Sequence, residues 1–154
     1  MSALSVILPV LIIDQLTKFI ILKNFQPGES LPVIKNIFHI SFVCNKGMAF
    51  GVFSKSIAGP AFIGIFYLSV IIIVFIFAFY KKFFHKRKST QVFFSLILAG
   101  AIGNLIDRIR FGCVIDFLDF RIWPVFNVAD SAITIGTVLL ILQMLKRKNA
   151  SHPF

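Results

Sequence analysis

The chain predicts a membrane all-α bundle of four transmembrane helices with a small extracytoplasmic β-rich cap, in one integral membrane domain over residues 1–154. Three observations predict it. The composition is 58% hydrophobic with twenty Phe and only 14% charged residues, against about 25% charged in a typical soluble domain. Apolar runs at about 3–22, 57–80, 91–106 and 128–145 approach or exceed the length that crosses a hydrocarbon core of about 30 Å. Between the first two runs, residues 23–56 are polar and carry a two-residue hydrophobic alternation, which suits strands outside the bilayer.

The first run resembles a secretory leader in position only. It lacks a basic start, is interrupted by Asp14, Gln15 and Lys18, and shows no small-residue cleavage site before Lys23; it reads as a retained span. Asp14 and Lys18 are four residues apart with the acid first, so on a helix they share a face and can pair. The plainer alternative is a Lys18 that snorkels to the interface while Asp14 finds a packing neighbour.

Residues 23–56 form the predicted cap. Asn24-Phe25-Gln26-Pro27-Gly28 is a turn signal. Phe38, Ile40 and Phe42 alternate with His39 and Ser41 as in a half-buried strand. Leu31 to Ile34 is a candidate second strand, held to a sheet edge by Pro32. The segment Asn45-Lys46-Gly47-Met48-Ala49-Phe50-Gly51 brackets polar and apolar side chains between glycines, a composition that lets a backbone ligand approach closely or simply makes a turn.

The second run has no ionisable side chain before its end and reads as lipid-facing scaffold. The basic cluster Lys81, Lys82, Lys86, Arg87, Lys88 follows it, and a second cluster, Lys146, Arg147, Lys148, follows the fourth run. Positive residues gathered at span ends mark the cytoplasmic side. Both termini are therefore expected in the cytoplasm, with 23–56 and 107–127 on the outer face. The net charge of +10 is accounted for in this way, and nucleic acid is not an expected partner.

The chain has only six acidic residues, and Asp107, Asp116, Asp119 and Asp130 all fall between Gly103 and Gly136. A carboxylate at a membrane boundary costs roughly 2.5–3.5 kcal/mol on insertion scales, which makes function its default reading. Asn127, Asp130, Ser131, Thr134 and Thr137 recur every three to four residues, predicting a polar stripe that faces the bundle interior. Ala99 with Gly103, and Ala132 with Gly136, predict close packing of the third and fourth spans. That packing brings Asp116 and Asp130 together near the outer surface. Two adjacent carboxylates share one proton and can act as base and acid on a water and a carbonyl, the aspartic-protease arrangement. By pattern alone the same pair suits proton or cation transport equally, so an aspartic endopeptidase and a proton-coupled transporter or channel both stand at this point.

Five segments carry a family resemblance: Asp14-Gln15-Leu16-Thr17-Lys18, Asn45-Lys46-Gly47-Met48-Ala49-Phe50, Gly103-Asn104-Leu105-Ile106-Asp107-Arg108, Val114-Ile115-Asp116-Phe117 and Phe126-Asn127-Val128-Ala129-Asp130-Ser131. In this order they resemble the motif boxes of bacterial lipoprotein signal peptidase, signal peptidase II, across nearly the whole chain. The resemblance implies an intramembrane aspartyl endopeptidase of the bacterial cytoplasmic membrane that removes the signal peptide from prolipoproteins, N-terminal to the diacylglyceryl-modified Cys. It carries the catalytic dyad onto Asp116 and Asp130. Asp14, Lys18, Asn45, Gly47, Asn104, Arg108 and Asn127 match as substrate-binding or dyad-supporting positions. Met48 departs from the small residue usual in its box, and its longer, flexible side chain is expected to narrow the groove or to change which lipobox residues fit.

The implied partners are a lipid-modified prolipoprotein and membrane lipids, with a monomer expected and no metal or other cofactor. Asp107 and Arg108, as sequence neighbours at a span end, are expected to pair. Asp119, outside the boxes, reads as a solvated loop charge. Cys44 and Cys113 both fall on the predicted outer side, where a disulfide is permitted, yet two cysteines prove no bond without geometry and free buried thiols are the default. His39, His85 and His152 have no metal-ligand spacing.

Overall fold

The computed structural model describes residues 3–47, 60–79 and 88–150. Four helices occur in it: α1 (Leu4–Asn24), α2 (Pro60–Phe79), α3 (Lys88–Phe111) and α4 (Val128–Ala150). Three strands, β1 (Ser30–Ile34), β2 (Phe38–Asn45) and β3 (Val114–Asp119), form one sheet in the order β1-β2-β3, with both pairings antiparallel. Among the described residues three stretches are long and apolar enough to cross a membrane: Leu4–Asn24, Lys88–Phe111 and Val128–Lys146. The basic cluster at residues 81–87, Met48 with its expected effect on the groove, His85 and His152 lie outside the described residues.

α1 shows why this is a membrane fold. Asp14, Lys18 and Ile21 are its buried residues, while Leu8, Ile12, Leu16, Phe19 and Ile20 are exposed. A soluble helix buries the opposite face. Here the apolar face meets lipid, and the polar groups satisfy one another inside the bundle.

α3 and α4 make the most extensive helix pairing, and α1 packs across both. Their approach is set by small residues. Ala99 and Ala129 are fully buried. A Cβ on Gly100 would strike the Ala129 carbonyl oxygen, one on Gly103 would come within 2.7 Å of Asp14 Oδ2, and one on Gly136 within 2.7 Å of the Phe93 carbonyl oxygen. The small-residue spacing expected to bring the two helices together does so.

The sheet begins at a tight turn. Pro27 and Gly28 occupy its centre, Glu29 N–H donates to the Gln26 carbonyl at 2.9 Å, and Gly28 has φ +88°. Proline followed by glycine at positive φ is the type II pattern. Pro32 sits in β1, an edge strand as its missing N–H requires. β3 was not expected: the sequence reading leaves 107–127 as an outer connection. α3 ends at Gly112, whose positive φ of 69° and N–H bond to the Arg108 carbonyl make a left-handed cap. The chain then turns directly into Val114 and pairs with β2. Ile21, Phe42, Cys113, Ile115 and Phe117 form a buried cluster joining the sheet to α1.

Candidate active site

β3 is buried on both faces and presents alternate residues to each. Ile115 and Phe117 enter the apolar cluster. Asp116 points the other way, onto the face where Asn45 of β2 also lies, and Asn45 Nδ2 donates to Asp116 Oδ2 at 2.9 Å.

Asp130 belongs to the start of α4. Asn127 is the cap residue: its Oδ1 accepts the Asp130 N–H at 2.9 Å, and Asp130 Oδ2 accepts the Asn127 N–H at 3.3 Å. This is a reciprocal capping box built from Asn and Asp, so the free N–H groups of a helix start hold a carboxylate in place. Asn127 also donates from Nδ2 to Asp116 Oδ1 at 2.7 Å. One fully buried asparagine therefore joins the two carboxylates.

Asn104 of α3 completes the constellation. Its Nδ2 donates to Asp130 Oδ1 at 2.8 Å, while its Oδ1 accepts from Lys18 Nζ at 3.1 Å and from Asn127 Nδ2 at 3.2 Å. Lys18 is 1% exposed and also pairs with Asp14 Oδ2 at 2.9 Å and Asp107 Oδ2 at 2.7 Å. Gln15 Nε2 donates to Asp14 and Asp107, each at 3.1 Å. The same acids tie elements together: Asp14 accepts Ala129 N–H on its other oxygen, Oδ1, at 2.9 Å, and Asp107 Oδ2, besides Lys18, accepts Ile115 N–H at 3.1 Å. One buried cation thus links α1 with α3, and through the two acids reaches the start of α4 and of β3.

Burial pushes the Asp116 carboxyl up to about 7, and the nearby Asp130 carboxylate adds to the rise. The Asn45 and Asn127 amides and the more distant Lys18 charge oppose it. An acid at this value holds or releases a proton at neutral pH.

Asp130 borders a cavity of about 250 Å³, whose polar lining also includes Asn45, Asn104 and Arg108. Leu68 and Ile72 of α2, with Ala101, Val114 and Ile133, are its apolar lining. Apolar side chains with a few polar groups among them are the usual lining of a ligand site.

The structure brings together Asp14, Lys18, Asn45, Gly47, Asn104, Arg108, Asp116, Asn127 and Asp130. Gly47 takes part through its backbone, donating N–H to Asn45 Oδ1 at 2.9 Å and accepting from Arg108 at 3.4 Å. Four expectations are corrected. Asp107 and Arg108 do not pair with each other: successive helical residues diverge, so Asp107 turns to Lys18 while Arg108 donates to the carbonyls of Asn104 and Gly47. Asp119 is 6% exposed rather than solvated, accepting from Ser41 at 3.0 Å and from Arg121 through both its backbone and guanidinium groups. Cys44 and Cys113 are not free thiols but a disulfide, with Cα atoms 5.5 Å apart. Thr134 and Thr137 are exposed, so the polar stripe on α4 ends after its first turn and small residues continue the inner face.

α2, expected as lipid-facing scaffold, also supplies Leu68, Ser69 and Ile72 to the cavity lining. Ser69, a polar position in a nearly unbroken apolar run, was the available signal.

The family model for signal peptidase (SPase) II matches residues 6–146. The chain belongs to the signal peptidase II family. The lipoprotein signal peptidase of Moorella thermoacetica is 48% identical over 145 residues, covering 94% of this chain and 93% of the relative. That of Halothermothrix orenii is 44% identical over 146 residues, covering 93% and 94%. A solved bacterial membrane enzyme, determined by the in meso method, matches with a TM-score of 0.86 at 35% identity, covering 99% of this chain and 92% of its own. A second such structure matches at 0.81 and 36%, covering 94% and 92%. Signal peptidase II is an aspartic peptidase family, so this multi-pass membrane chain is an aspartic endopeptidase, and these matches give the transporter reading no support.

Proposed function

We propose that the chain removes the signal peptide from prolipoproteins, N-terminal to the diacylglyceryl-modified Cys, with Asp116 and Asp130 as its catalytic dyad. The observation that carries this is Asn127, which caps α4 through Asp130 and donates to Asp116 in the same side chain. It ties Asp116 to Asp130, and Asp130 lines a cavity whose other residues are both polar and apolar.

In this reading the dyad carries one proton near neutral pH. One carboxylate takes a proton from a water, which attacks the scissile carbonyl carbon. The other gives its proton to the carbonyl oxygen, forming a tetrahedral diol. Collapse breaks the C–N bond: the protonated carboxyl gives its proton to the leaving amine while the other carboxylate takes the proton of one diol hydroxyl, which leaves the new carboxylic acid and returns the dyad to one proton. Asn45, Asn104 and Asn127 keep the two acids oriented, and Arg108 holds the Gly47 carbonyl at the cavity edge. The lipid-bearing substrate enters from the bilayer past α2, which serves as the fourth span. The protein acts as a monomer in the bacterial cytoplasmic membrane, its termini inside and the dyad near the outer face.

Cleavage of a lipidated precursor peptide by Asp116→Asn and Asp130→Asn tests the dyad. Each variant is expected to lose at least about a thousandfold in kcat while remaining folded in detergent. A variant that cleaves near the wild-type rate removes that residue from the dyad.

A further inference from the structure

We infer that the Cys44–Cys113 disulfide is a positioning element of the active site, and that its reduction by a dithiol lowers the rate of peptide cleavage. The inference rests on Asp116 being a member of the dyad.

Successive strand residues point to opposite faces. In β2 this puts the Cys44 side chain on the face of Phe42 and the buried cluster, and the Asn45 side chain on the face of Asp116. Asn45 is the last residue of β2. Its register is set by a short run, Val43 opposite Asp116, Cys44 opposite Ile115 and Asn45 opposite Val114, beyond an irregularity between Ile40 and Val43. A strand end held by so few rungs frays readily. The disulfide crosses at this point, from the residue before Asn45 to the residue before Val114, its partner. It fixes the backbone from which Asn45 Nδ2 reaches Asp116 Oδ2. Arg108 also reaches this segment, donating to the Gly47 carbonyl at 3.4 Å.

The two sulfur positions differ in access. Cys44 is exposed, whereas Cys113 is 2% exposed inside the cluster. A dithiol reductant therefore attacks Cys44 Sγ as its thiolate. The S–S bond breaks and Cys113 leaves as a thiolate that takes up a proton. The reductant's second thiol then attacks the mixed disulfide, releasing the Cys44 thiol and leaving the reductant as its cyclic disulfide. Two electrons and two protons pass to the protein. The chain stays continuous, but the end of β2 loses its covalent tie to β3.

A bond that only staples the fold would change unfolding and leave the chemistry alone. A positioning bond changes the chemistry of Asp116. The Asn45 amide donates to the charged form, so loosening it moves the alkaline limb of the rate profile to higher pH.

The test uses the full-length protein in detergent, with dithiothreitol as reductant and alkylation followed by mass measurement to count thiols. Cleavage of a lipidated precursor peptide is followed across a pH series, below the unfolding temperature of both forms. The reduced protein is expected to lose about tenfold in kcat, the effect of weakening one hydrogen bond to a charged group, with its alkaline limb shifted upward. Reoxidation should restore both. Cys44→Ser with Cys113→Ser should match the reduced protein and ignore dithiothreitol; if that variant does not fold, reversible reduction of the wild type decides alone. An unchanged kcat and limb after reduction overturns the inference. So do two free thiols in untreated, fully active protein, and so does reduced protein that is unfolded at the assay temperature. Failure of the dyad reading is separate, because it appears as cleavage by Asp116→Asn or Asp130→Asn with the disulfide intact.

Discussion

The Lys18 ammonium lies between two carboxylates and an amide oxygen with almost no water contact. A buried ion pair adds little net stability compared with an apolar replacement of the whole group, but removing one partner leaves uncompensated charge at a cost of about 3–5 kcal/mol. Lys18→Met leaves Asp14 and Asp107 facing each other and takes one donor from Asn104 Oδ1, leaving the Asn127 amide to orient the side chain whose Nδ2 group meets Asp130. It is expected to lower the unfolding temperature in detergent and reduce kcat more than KM, checked by thermal unfolding and cleavage kinetics on one preparation. Asp116 gives a second prediction at this scale. Burial first, then the Asp130 charge, raise it to about 7, so its proton is lost as pH rises through neutrality and kcat/KM should fall there. Asn45→Ala removes a donor that stabilises the charged form. The alkaline limb should move to higher pH, and a downward shift in the measured profile would contradict the assigned hydrogen bond. The Asp14–Lys18 pair was legible because four-residue spacing on a helix is local. The Lys18–Asp107 pair was not, because it depends on how α1 crosses α3. Asp119 was misjudged for a related reason: its burial follows from pairing between β2 and β3, which no local signal near it reveals.

At the scale of elements, the site exists because α3 and α4 touch backbone to backbone. Gly100 faces the Ala129 carbonyl, one residue before Asp130, and Gly103 faces the Asp14 carboxylate. A side chain at Gly100 meets a rigid peptide oxygen and Ile133 Cγ1 at 2.7 Å, so it must separate the helices rather than swing aside. Gly100→Val should therefore cost both stability and cleavage, each read against the wild type by thermal unfolding and precursor cleavage. Gly64→Ala, where an added Cβ meets nothing within 4 Å, should leave cleavage unchanged and serves as the control. Small residues four apart carried this pairing in the sequence, since periodicity survives without any knowledge of the partner. The run Val114-Ile115-Asp116-Phe117-Leu118 is rich in strand formers between Gly112 and Pro124. Its identity as β3 was obscured because both faces are buried, so it lacks the two-residue alternation that marked β2. Thr134 and Thr137 erred in the opposite sense. Polar residues spaced along a membrane helix suggest an inward face, but a threonine hydroxyl can bond its own helix backbone, and these two look outward.

Across the whole molecule, charge and hydropathy describe an object whose interior is more polar than its surface. Asp14, Lys18, Asn104, Asp107, Asp116 and Asn127 are buried while Leu8, Ile12, Ile71, Phe75 and Leu142 are exposed. That inversion was legible from composition, because a chain with so few charges must place them where they satisfy one another. Orientation is a separate matter, set by where the basic residues gather. In the proposed topology, which rests on the positive-inside rule, the end of α4 lies in the cytoplasm and the β1–β2 hairpin outside. With Cys44 and Cys113 joined, the described residues contain no free thiol, so a single added cysteine reports its own side. Lys35 lies exposed in the hairpin and Lys146 exposed near the end of α4. Lys35→Cys should react with a membrane-impermeant maleimide in intact cells. Lys146→Cys should react only after the membrane is permeabilised. Labelling of Lys146→Cys in intact cells would invert the proposed topology and move the dyad to the cytoplasmic side, where a precursor already exported would present its cleavage site to the wrong face.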